Sequence, residues 1–389
     1  MSTPATRGSA GSDLTARDLP ALPSQPEGLA WPTSKWSTVD FAAGSTADDV
    51  DHGRLQALLD ILVDDEAHPA MGQTFAAAVV WRGSLAAERY GLRPVRDLRA
   101  LEPDPPLERV TADAELLSWS MAKSLTHLAV GVAVADGLIQ LDQPVPEPAW
   151  SAPDDPRRSI TWEDLLTMRP GLAWYEDYNL GDGALPDVVE MLFGSGAADV
   201  AAFAARFPAV NPPGSIEAYT YSSGTTNIVA ANLQRVLAMS GDADSFDRWM
   251  HGRLLDPIGM VGARLEFDSA NTFMGSSYAH ATLREWCRFG LLAMRGGEWD
   301  GNQIVPTGWI DHGRRPRSID EDMYHGAHWW SWDHEQMPFG AHGFEGQRII
   351  CFPTRDVIVL RFGKISERAE ARHVLNNHLS EIAACFPSL

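Results

Sequence analysis

One stretch of the sequence decides how the rest is interpreted: residues 118–135 read SWSMAKSLTHLAVGVAVA. From Leu125 to Ala135 its apolar side chains recur at intervals of three and four residues, the spacing that places them on one face of an α-helix. Asp136 and Gly137 follow as a helix stop signal. We therefore predict a buried helix over residues 118–135.

The first turn of this predicted helix carries Ser120 and Lys123 in an S-x-x-K motif. Side chains at this spacing share a helix face, with Cβ atoms about 5–6 Å apart, so the hydroxyl and the ammonium can touch. A cation in the first turn faces the positive end of the helix dipole, so the lysine needs another reason to be there. The backbone N–H of the serine would be free to form half of an oxyanion hole. The alternative is that Ser120 is an N-terminal capping residue and Lys123 a solvated surface charge.

A second motif, Tyr221 to Ser223, opens another predicted helix just after a Pro-Pro-Gly turn. An adjacent cation favours phenolate over phenol, so a tyrosine buried near a lysine would become more acidic and serve as a proton shuttle. The alternative is a core tyrosine followed by a serine N-cap, which is the favoured interpretation when this motif is considered alone.

A third motif, Ala341 to Phe344, lies at the front of a predicted late hairpin. Gly343 has no side chain and would let the backbone approach a ligand closely, and the N–H of Phe344 would complete the oxyanion hole. Taken alone, His342 is more typical of a loop or core histidine.

Together and in this order, the motifs resemble the serine β-lactamase and penicillin-binding superfamily, in the branch of class C β-lactamases, family VIII carboxylesterases and 6-aminohexanoate-dimer hydrolases. The match extends over most of the chain and includes residues 119–125, 155–157, 160–168, 221–224, 294–301 and 342–347. The resemblance implies acyl transfer through a covalent intermediate on Ser120, with Lys123 and Tyr221 moving the proton. It also implies that the N–H groups of Ser120 and Phe344 hold the oxyanion.

The resemblance further implies which residues contact the substrate. His342 and Gly343 stand where the superfamily has the lysine and threonine of K-T-G, which help to bind the carboxylate of a β-lactam. Ser223 stands where many β-lactamases carry asparagine, and Tyr178 matches a tyrosine in the loop over the site of aminohexanoate-dimer hydrolases. These departures favour small esters or linear amides over β-lactams as substrates.

Two other segments leave two interpretations open. Glu176 or Asp177, in the same loop, would attract a substrate ammonium, although a solvated acidic loop is the favoured interpretation of this pair. The aromatic run at residues 329–332, WWSW, would wall an acyl pocket or equally well pack as a strand into the core.

The elements along the chain predict an α+β protein with a β-lactamase/transpeptidase-like fold, an antiparallel sheet flanked by helices with an inserted all-helical lobe. Hairpins are predicted at 74–81 with 85–90 and at 348–352 with 357–362, and helices at 55–62, 161–168, 186–207, 222–239 and 367–384. The predicted division is an extended N-terminal arm over 1–45, a discontinuous α/β lobe over 46–118 and 250–389, and a helical lobe over 119–249.

The amino-acid composition excludes some classes of binding partner and indicates a cellular compartment. The 52 acidic and 31 basic residues give a net charge of −21, which disfavours nucleic acid and anionic membranes as partners. Three cysteines without C-x-x-C spacing indicate neither a disulfide framework nor a usual zinc site. With no signal peptide or long apolar run, we expect a cytoplasmic enzyme that uses no cofactor or metal. Its partner would be a small ester or amide, and a homodimer stays open.

Other classes of protein are compatible with parts of the sequence. An α/β-hydrolase would need a G-x-S-x-G pentapeptide, and the sequence has none. A metal hydrolase would draw on a histidine set with H-x-x-H spacing, a weak pattern: His325, His328, His334 and His342, with Asp333 or Glu345. The remaining alternatives are β-lactamase or D-alanyl peptidase activity, and a non-catalytic binding or sensor protein on the penicillin-recognising fold.

Overall fold

A computed structural model of the chain describes seven segments: 18–42, 47–64, 66–95, 105–176, 185–241, 245–332 and 337–389. Their α-helices are α1 His52–Val63, α2 Ala122–Ala135, α3 Trp162–Leu166, α4 Asp187–Phe193, α5 Val200–Ala205, α6 Ser223–Ser240, α7 Phe246–Met250, α8 Leu283–Met294, α9 Trp309–Arg314 and α10 Ala371–Ala383.

The strands of these segments are β1 Gln73–Trp81, β2 Ser84–Tyr90, β3 Leu92–Pro94, β4 Leu107–Arg109, β5 Leu116–Leu117, β6 Arg264–Leu265, β7 Ala279–Ala281, β8 Glu298–Trp299, β9 Asn302–Gln303, β10 Ser318–Asp320, β11 Met323–His325, β12 Trp330–Ser331, β13 Phe339–Gly343, β14 Gln347–Phe352 and β15 Val357–Lys364. Eight of them form an antiparallel sheet in the order β10-β11-β12-β13-β14-β15-β1-β2. Early and late strands therefore meet in one sheet, as the two predicted hairpins imply.

Both faces of this sheet are covered by helices. Along β1, Ala76, Ala78 and Val80 pack into the core that contains α2 and α8, and the alternate residues pack against α1 and α10. Successive side chains of a strand point to opposite faces, so a strand buried on both sides is apolar throughout. The near-continuous apolar composition of β1, β14 and β15 follows from this double burial.

Side-chain caps set where the helices begin. Thr161 and Thr282 each form a capping box with the acidic residue three positions later, at the starts of α3 and α8. Ser222 caps α6, because its hydroxyl accepts the backbone N–H of Thr225 at 2.9 Å. The predicted helix over 161–168 is thus shorter than expected, since its first residue is the cap.

Two other predicted helices are not continuous α-helices in the structure. The helix expected over 118–135 begins with a 3₁₀ turn, Trp119–Met121, and becomes α-helical only at Ala122. The helix expected over 186–207 is divided into α4 and α5, because Gly194 and Gly196 lie between them and Asp199 caps α5. A Cβ on Gly196 would lie 2.6 Å from the ring of Phe203, so the turn needs glycine there.

The described part of the N-terminal arm, residues 18–42, packs on the body. Trp31 contacts Trp299 with ring centroids 5.0 Å apart, and the Trp36 indole N–H donates to the carbonyl of Arg284. The Arg288 guanidinium donates to the carbonyl oxygen of Pro32 at 2.6 Å. The division of the chain into arm, α/β lobe and helical lobe stays a prediction.

Across the described segments, every helix is too short or too polar to cross a bilayer.

Candidate active site

The candidate nucleophile lies where the 3₁₀ turn Trp119–Met121 runs into α2. The Ser120 side chain is partly exposed, and its Oγ lies 2.9 Å from Lys123 Nζ. Trp119, just before it, has a φ of 45°, a left-handed conformation that is uncommon for a bulky residue. The S-x-x-K pair is therefore in contact, as helical spacing predicts.

The Lys123 ammonium is enclosed rather than solvated. The residue is 2% exposed, and its Nζ lies 2.9 Å from Ser223 Oγ and 2.9 Å from the Ser276 carbonyl oxygen. It also lies 5.1 Å from the centroid of the Tyr221 ring, within the range of a cation–π contact. These partners offset the unfavourable end of the helix dipole. The interpretation of Lys123 as a solvated surface charge is wrong.

Burial controls the protonation of this lysine. Loss of hydration lowers the pKa of Lys123 to about 8, against a smaller opposing effect of the Glu176 carboxylate. At pH 7 a group with such a pKa is neutral in roughly one molecule in ten, compared with far fewer for a solvated lysine. Lys123 therefore has an accessible state with a free lone pair.

Tyr221 lies beside the same serine. Its side chain hydrogen-bonds Ser120, and its ring packs against His325 and Trp330 with centroids 5.9 and 5.3 Å away. The expectation that the nearby lysine makes this phenol more acidic is wrong. Burial raises the pKa of Tyr221, the Glu176 carboxylate raises it further, and the Ser120 bond lowers it only in part. Tyr221 is therefore a protonated hydroxyl that can donate.

Glu176 reaches the site from the loop before α4. Its Oε1 lies 2.7 Å from Ser223 Oγ, and its Oε2 accepts the backbone N–H of Ser223 at 2.6 Å and the Trp174 indole N–H at 2.8 Å. The carboxylate thus caps the start of α6, where the helix dipole favours an anion. The favoured interpretation of a solvated acidic loop does not describe Glu176, and Asp177 lies outside the described residues.

The third motif lies alongside the nucleophile on β13. A Cβ on Gly343 would lie 2.4 Å from the Ser118 carbonyl oxygen. Glycine is therefore needed at this position because the backbone that precedes Ser120 leaves no room for a side chain. Phe344 packs edge-on against Trp119, with ring centroids 5.6 Å apart. The motif is therefore adjacent to Ser120, and the oxyanion role of the Phe344 N–H stays a prediction.

His342 is buried on the same strand, between Trp330 and Trp332, whose ring centroids are 6.1 and 4.9 Å away. Its Nε2 atom has no hydrogen-bond partner among the described residues. Burial, with Arg348 and Arg372 nearby, lowers the pKa of His342 well below its usual range. The imidazole is therefore neutral at physiological pH.

The predicted site residues that the structure describes come together. Ser120, Lys123, Tyr221 and Ser223 form a contiguous group, and Trp330 lies between Tyr221 and His342. Tyr178 lies outside the described residues. In the aromatic run at 329–332, Trp329 is fully buried in the core and Trp330 packs against the ring of Tyr221. That this run walls an acyl pocket stays a prediction.

The described histidines of the set that would suit a metal hydrolase do not form a metal-binding cluster. Within the described segments there is no cluster of three or more metal-ligating side chains, and His334 and Asp333 lie outside those segments. His328 uses both ring nitrogens within the protein: Nδ1 lies 2.7 Å from the Leu166 carbonyl oxygen and Nε2 lies 2.9 Å from Thr226 Oγ1. It has no nitrogen left for a metal.

Comparisons with known proteins agree with this geometry. The Beta-lactamase family model matches residues 63–383. The 6-aminohexanoate-dimer hydrolase of Paenarthrobacter ureafaciens is 23% identical over an alignment of 281 residues that covers 64% of this chain and 66% of that protein. The chain thus spans just under two thirds of the length of that relative.

Solved structures show the same fold. A proposed 6-aminohexanoate-dimer hydrolase from Bacillus anthracis superposes with a TM-score of 0.66 at 20% identity, covering 93% of this chain and 89% of that chain. The octameric penicillin-binding protein homologue from Pyrococcus abyssi gives a TM-score of 0.58 at 16% identity, covering 85% of this chain and 78% of that chain. The predicted β-lactamase/transpeptidase-like α+β fold is confirmed. With a family match that extends over well more than half of its length, the chain belongs to the Beta-lactamase family of hydrolases.

Proposed function

We propose that this protein is a serine hydrolase that cleaves ester or amide bonds of small substrates through an acyl-enzyme on Ser120. The observation that carries the proposal is the buried Lys123 Nζ at 2.9 Å from a partly exposed serine hydroxyl. A nucleophile within hydrogen-bond reach of a base whose pKa is lowered to about 8 is the arrangement that activates a hydroxyl.

In the proposed acylation, one proton is transferred and one covalent bond to the substrate carbonyl carbon is formed. Ser120 Oγ attacks the carbonyl carbon of the substrate, its proton passes to the Lys123 lone pair, and the carbonyl electron pair moves onto oxygen. The N–H groups of Ser120 and Phe344 would hold this oxyanion. When the carbonyl re-forms, the leaving group departs with this same proton, which comes from Lys123 directly or through the Tyr221 hydroxyl, and Tyr221 is then reprotonated by Lys123. Water then attacks the acyl carbonyl carbon while Lys123 accepts its proton, and the acid is released when the bond to Ser120 breaks and Ser120 Oγ takes that proton back.

The surroundings of Ser120 disfavour the carboxylate of a β-lactam. His342, at the position of the K-T-G lysine, is neutral, so it offers a substrate carboxylate no charge. The buried Arg348 guanidinium already donates to the side-chain oxygen of Asn376 and to the Gly343 carbonyl. Charge-assisted hydrogen bonds of the kind that a β-lactam carboxylate needs contribute about 1.5–3 kcal/mol each. Small esters and linear amides are therefore the proposed class, and the named relative supports amides.

The described cysteines also bear on where the enzyme works. Cys287, Cys351 and Cys385 are all buried and unpaired, which fits a reducing compartment. A cytoplasmic location is proposed together with the activity.

The test compares four substrates and one covalent label. At equal enzyme concentration we expect p-nitrophenyl acetate and butyrate or an aminohexanoate dimer to exceed nitrocefin in kcat/KM by at least about tenfold. A serine-directed phosphonate should add to the wild type and to Ser124→Ala, a matched serine of α2 whose hydroxyl donates to the His328 carbonyl. It should not add to Ser120→Ala, which should retain less than about one hundredth of the activity.

Each alternative has its own outcome. Nitrocefin as the best substrate would show a β-lactamase or a D-alanyl peptidase relative. A stoichiometric adduct with no turnover of any substrate would show a protein that acylates and stalls, as a sensor does. Turnover by Ser120→Ala at the wild-type rate would overturn the assignment of the nucleophile.

A further inference from the structure

Three consecutive hydrogen bonds connect Glu176 in the acidic loop to Ser120, the candidate nucleophile. Glu176 Oε1 lies 2.7 Å from Ser223 Oγ, Ser223 Oγ lies 2.9 Å from Lys123 Nζ, and Lys123 Nζ lies 2.9 Å from Ser120 Oγ. Because each group has a fixed number of hydrogens and lone pairs, the direction of every bond in this chain can be worked out.

The direction begins at the carboxylate, which can only accept. Its Oε2 accepts two N–H groups, from the Ser223 backbone and from Trp174, and its Oε1 faces the Ser223 hydroxyl. The single hydrogen of Ser223 Oγ must therefore be donated to Glu176. Towards Lys123, the Ser223 oxygen has only lone pairs to offer.

Lys123 consequently has two partners that can only accept. One is Ser223 Oγ and the other is the Ser276 carbonyl oxygen, each 2.9 Å from Nζ. A neutral amine has two hydrogens and one lone pair. Both hydrogens are taken by these acceptors, so the lone pair is left for the third partner, Ser120 Oγ.

We propose that Glu176 is a positioning residue that commits the lone pair of Lys123 to Ser120 by fixing the direction of the Ser223 hydroxyl. This inference rests on the proposed function and deepens it, because it makes Lys123 rather than Tyr221 the base for acylation. Glu176 touches neither the substrate carbonyl nor Ser120 in this role; it acts through Ser223.

Glu176 is well held for this purpose. Its carboxylate lies at the start of α6, which is 18 residues long, and the Trp174 indole that donates to it packs against Phe203 and Phe207 with centroids 6.4 and 5.2 Å away. A carboxylate that accepts two N–H groups on one oxygen has little freedom to rotate. The other oxygen therefore stays directed at Ser223.

An effect of charge alone would act in the opposite direction. The negative charge of Glu176 favours the ammonium form of Lys123, so its removal would increase the neutral fraction near pH 7 and raise the rate there. Positioning and charge thus predict opposite changes in rate for a variant that keeps the shape of Glu176 and removes its charge.

Glu176→Gln is that variant. The amide oxygen must take the place of Oε2, where two N–H groups point, so the NH₂ group faces Ser223 Oγ. Ser223 then accepts from the amide and donates its own hydrogen to the Lys123 lone pair. We expect kcat for p-nitrophenyl butyrate to fall by about 10²–10⁴-fold, the range for loss of a general base, at every pH from about 6 to 9. KM should change by less than about threefold.

Two further variants separate positioning from damage to the fold. Glu190→Gln changes a carboxylate that accepts the Ser195 backbone N–H at 2.8 Å outside the site, and it should leave kcat unchanged. The double variant Glu176→Gln with Ser223→Ala has no hydroxyl to occupy the lone pair, so its kcat should exceed that of Glu176→Gln by at least about tenfold. All rates are normalised to the folded fraction measured by circular dichroism.

The outcomes are distinct. A kcat for Glu176→Gln that is unchanged or raised at pH 7 would overturn the positioning role and leave only an effect of charge. A double variant no faster than Glu176→Gln would overturn the part assigned to Ser223. If the phosphonate fails to label Ser120 in the wild type, the proposed function fails instead, independently of either result.

Discussion

Two buried basic side chains lie one turn apart on α2, and their surroundings differ in one respect. Lys123 has two partners that accept and a third, Ser120, that is partly exposed. His127 has both ring nitrogens engaged inside the protein: the Trp329 indole N–H donates to Nδ1 at 3.1 Å, and Nε2 lies 3.2 Å from His312 Nδ1.

The second histidine of this hydrogen-bonded network, His312, also has both ring nitrogens engaged within the protein. His312 Nε2 lies 2.8 Å from Glu163 Oε2, so its hydrogen goes to the carboxylate and its Nδ1 accepts the Nε2 hydrogen of His127. Burial, with the charges of nearby histidines and Arg317, lowers the pKa of His127 well below its usual range. We infer from this difference that a buried titratable group can take part in a reaction when one of its hydrogen-bond partners is an atom that a substrate can reach.

The largest loss of kcat is expected for a substitution of Lys123. Lys123→Met keeps the length of the side chain and removes its lone pair, so kcat should fall by about 10³–10⁴-fold, towards the upper limit for a general base. Lys35→Met, at an exposed lysine of the N-terminal arm, is the matched control and should keep wild-type kcat. Equal activity of the two variants would remove Lys123 from the reaction.

Tyr221→Phe should have the next largest effect. In the proposed mechanism the protonated phenol supports Ser120 and the leaving group without being the base, so its loss should lower kcat by about 10²-fold. The thermal midpoint should change little, because ring packing against Trp330 is kept. A loss larger than that of Lys123→Met would reverse the roles of the two residues.

A substitution in the hydrogen-bonded histidine network should change the free energy of unfolding and leave kcat largely unchanged. His127→Asn retains an oxygen that can accept from Trp329 but loses the link to His312, which should lower the free energy of unfolding by about 1–3 kcal/mol. Urea denaturation measures this change. The kcat of the folded fraction should stay within about threefold of wild type; a hundredfold loss would show that the histidine pair also takes part in the chemistry.

The smallest effect is expected at Tyr219, two residues before Tyr221. Its hydroxyl donates to the Asp320 carboxylate at 3.0 Å, away from Ser120. Tyr219→Phe should cost about 1 kcal/mol in the free energy of unfolding and leave kcat within about twofold. If it proves more damaging to kcat than Tyr221→Phe, the catalytic tyrosine has been placed two residues too far along the chain.

Local patterns were sufficient for the long helices α1, α2, α6 and α10, for the four strands of the two hairpins and for the S-x-x-K contact, because periodicity and helical spacing are properties of neighbouring residues. They did not predict α7, α8, α9 or the strands β3–β13. They were insufficient where distant segments meet. The protonation of Tyr221 depends on burial and on Glu176, and no pattern near residue 221 carries that information. The break between α4 and α5 did have a local signal, the glycines at 194 and 196 followed by Asp199 as a cap.

Glu176 is the residue that the sequence described least well. An acidic pair in a loop without periodicity is typical of a solvated surface, and only the packing of Trp174 and the start of α6 bring the carboxylate to Ser223. A carboxylate near a helix N-terminus is a known preference, but its partner helix begins 47 residues later in the chain.

The pH dependence of kcat/KM shows whether neutral Lys123 is the base for Ser120. The pKa of Lys123 is lowered to about 8, so the neutral form becomes more abundant as pH rises. With p-nitrophenyl butyrate, which does not titrate, and Ser120→Ala as the blank, kcat/KM should rise about tenfold per pH unit below the pKa and level off above it. An apparent pKa near 8 is the predicted result. A profile that is flat from pH 6 to 9, or one that still rises steeply above pH 10, would contradict it.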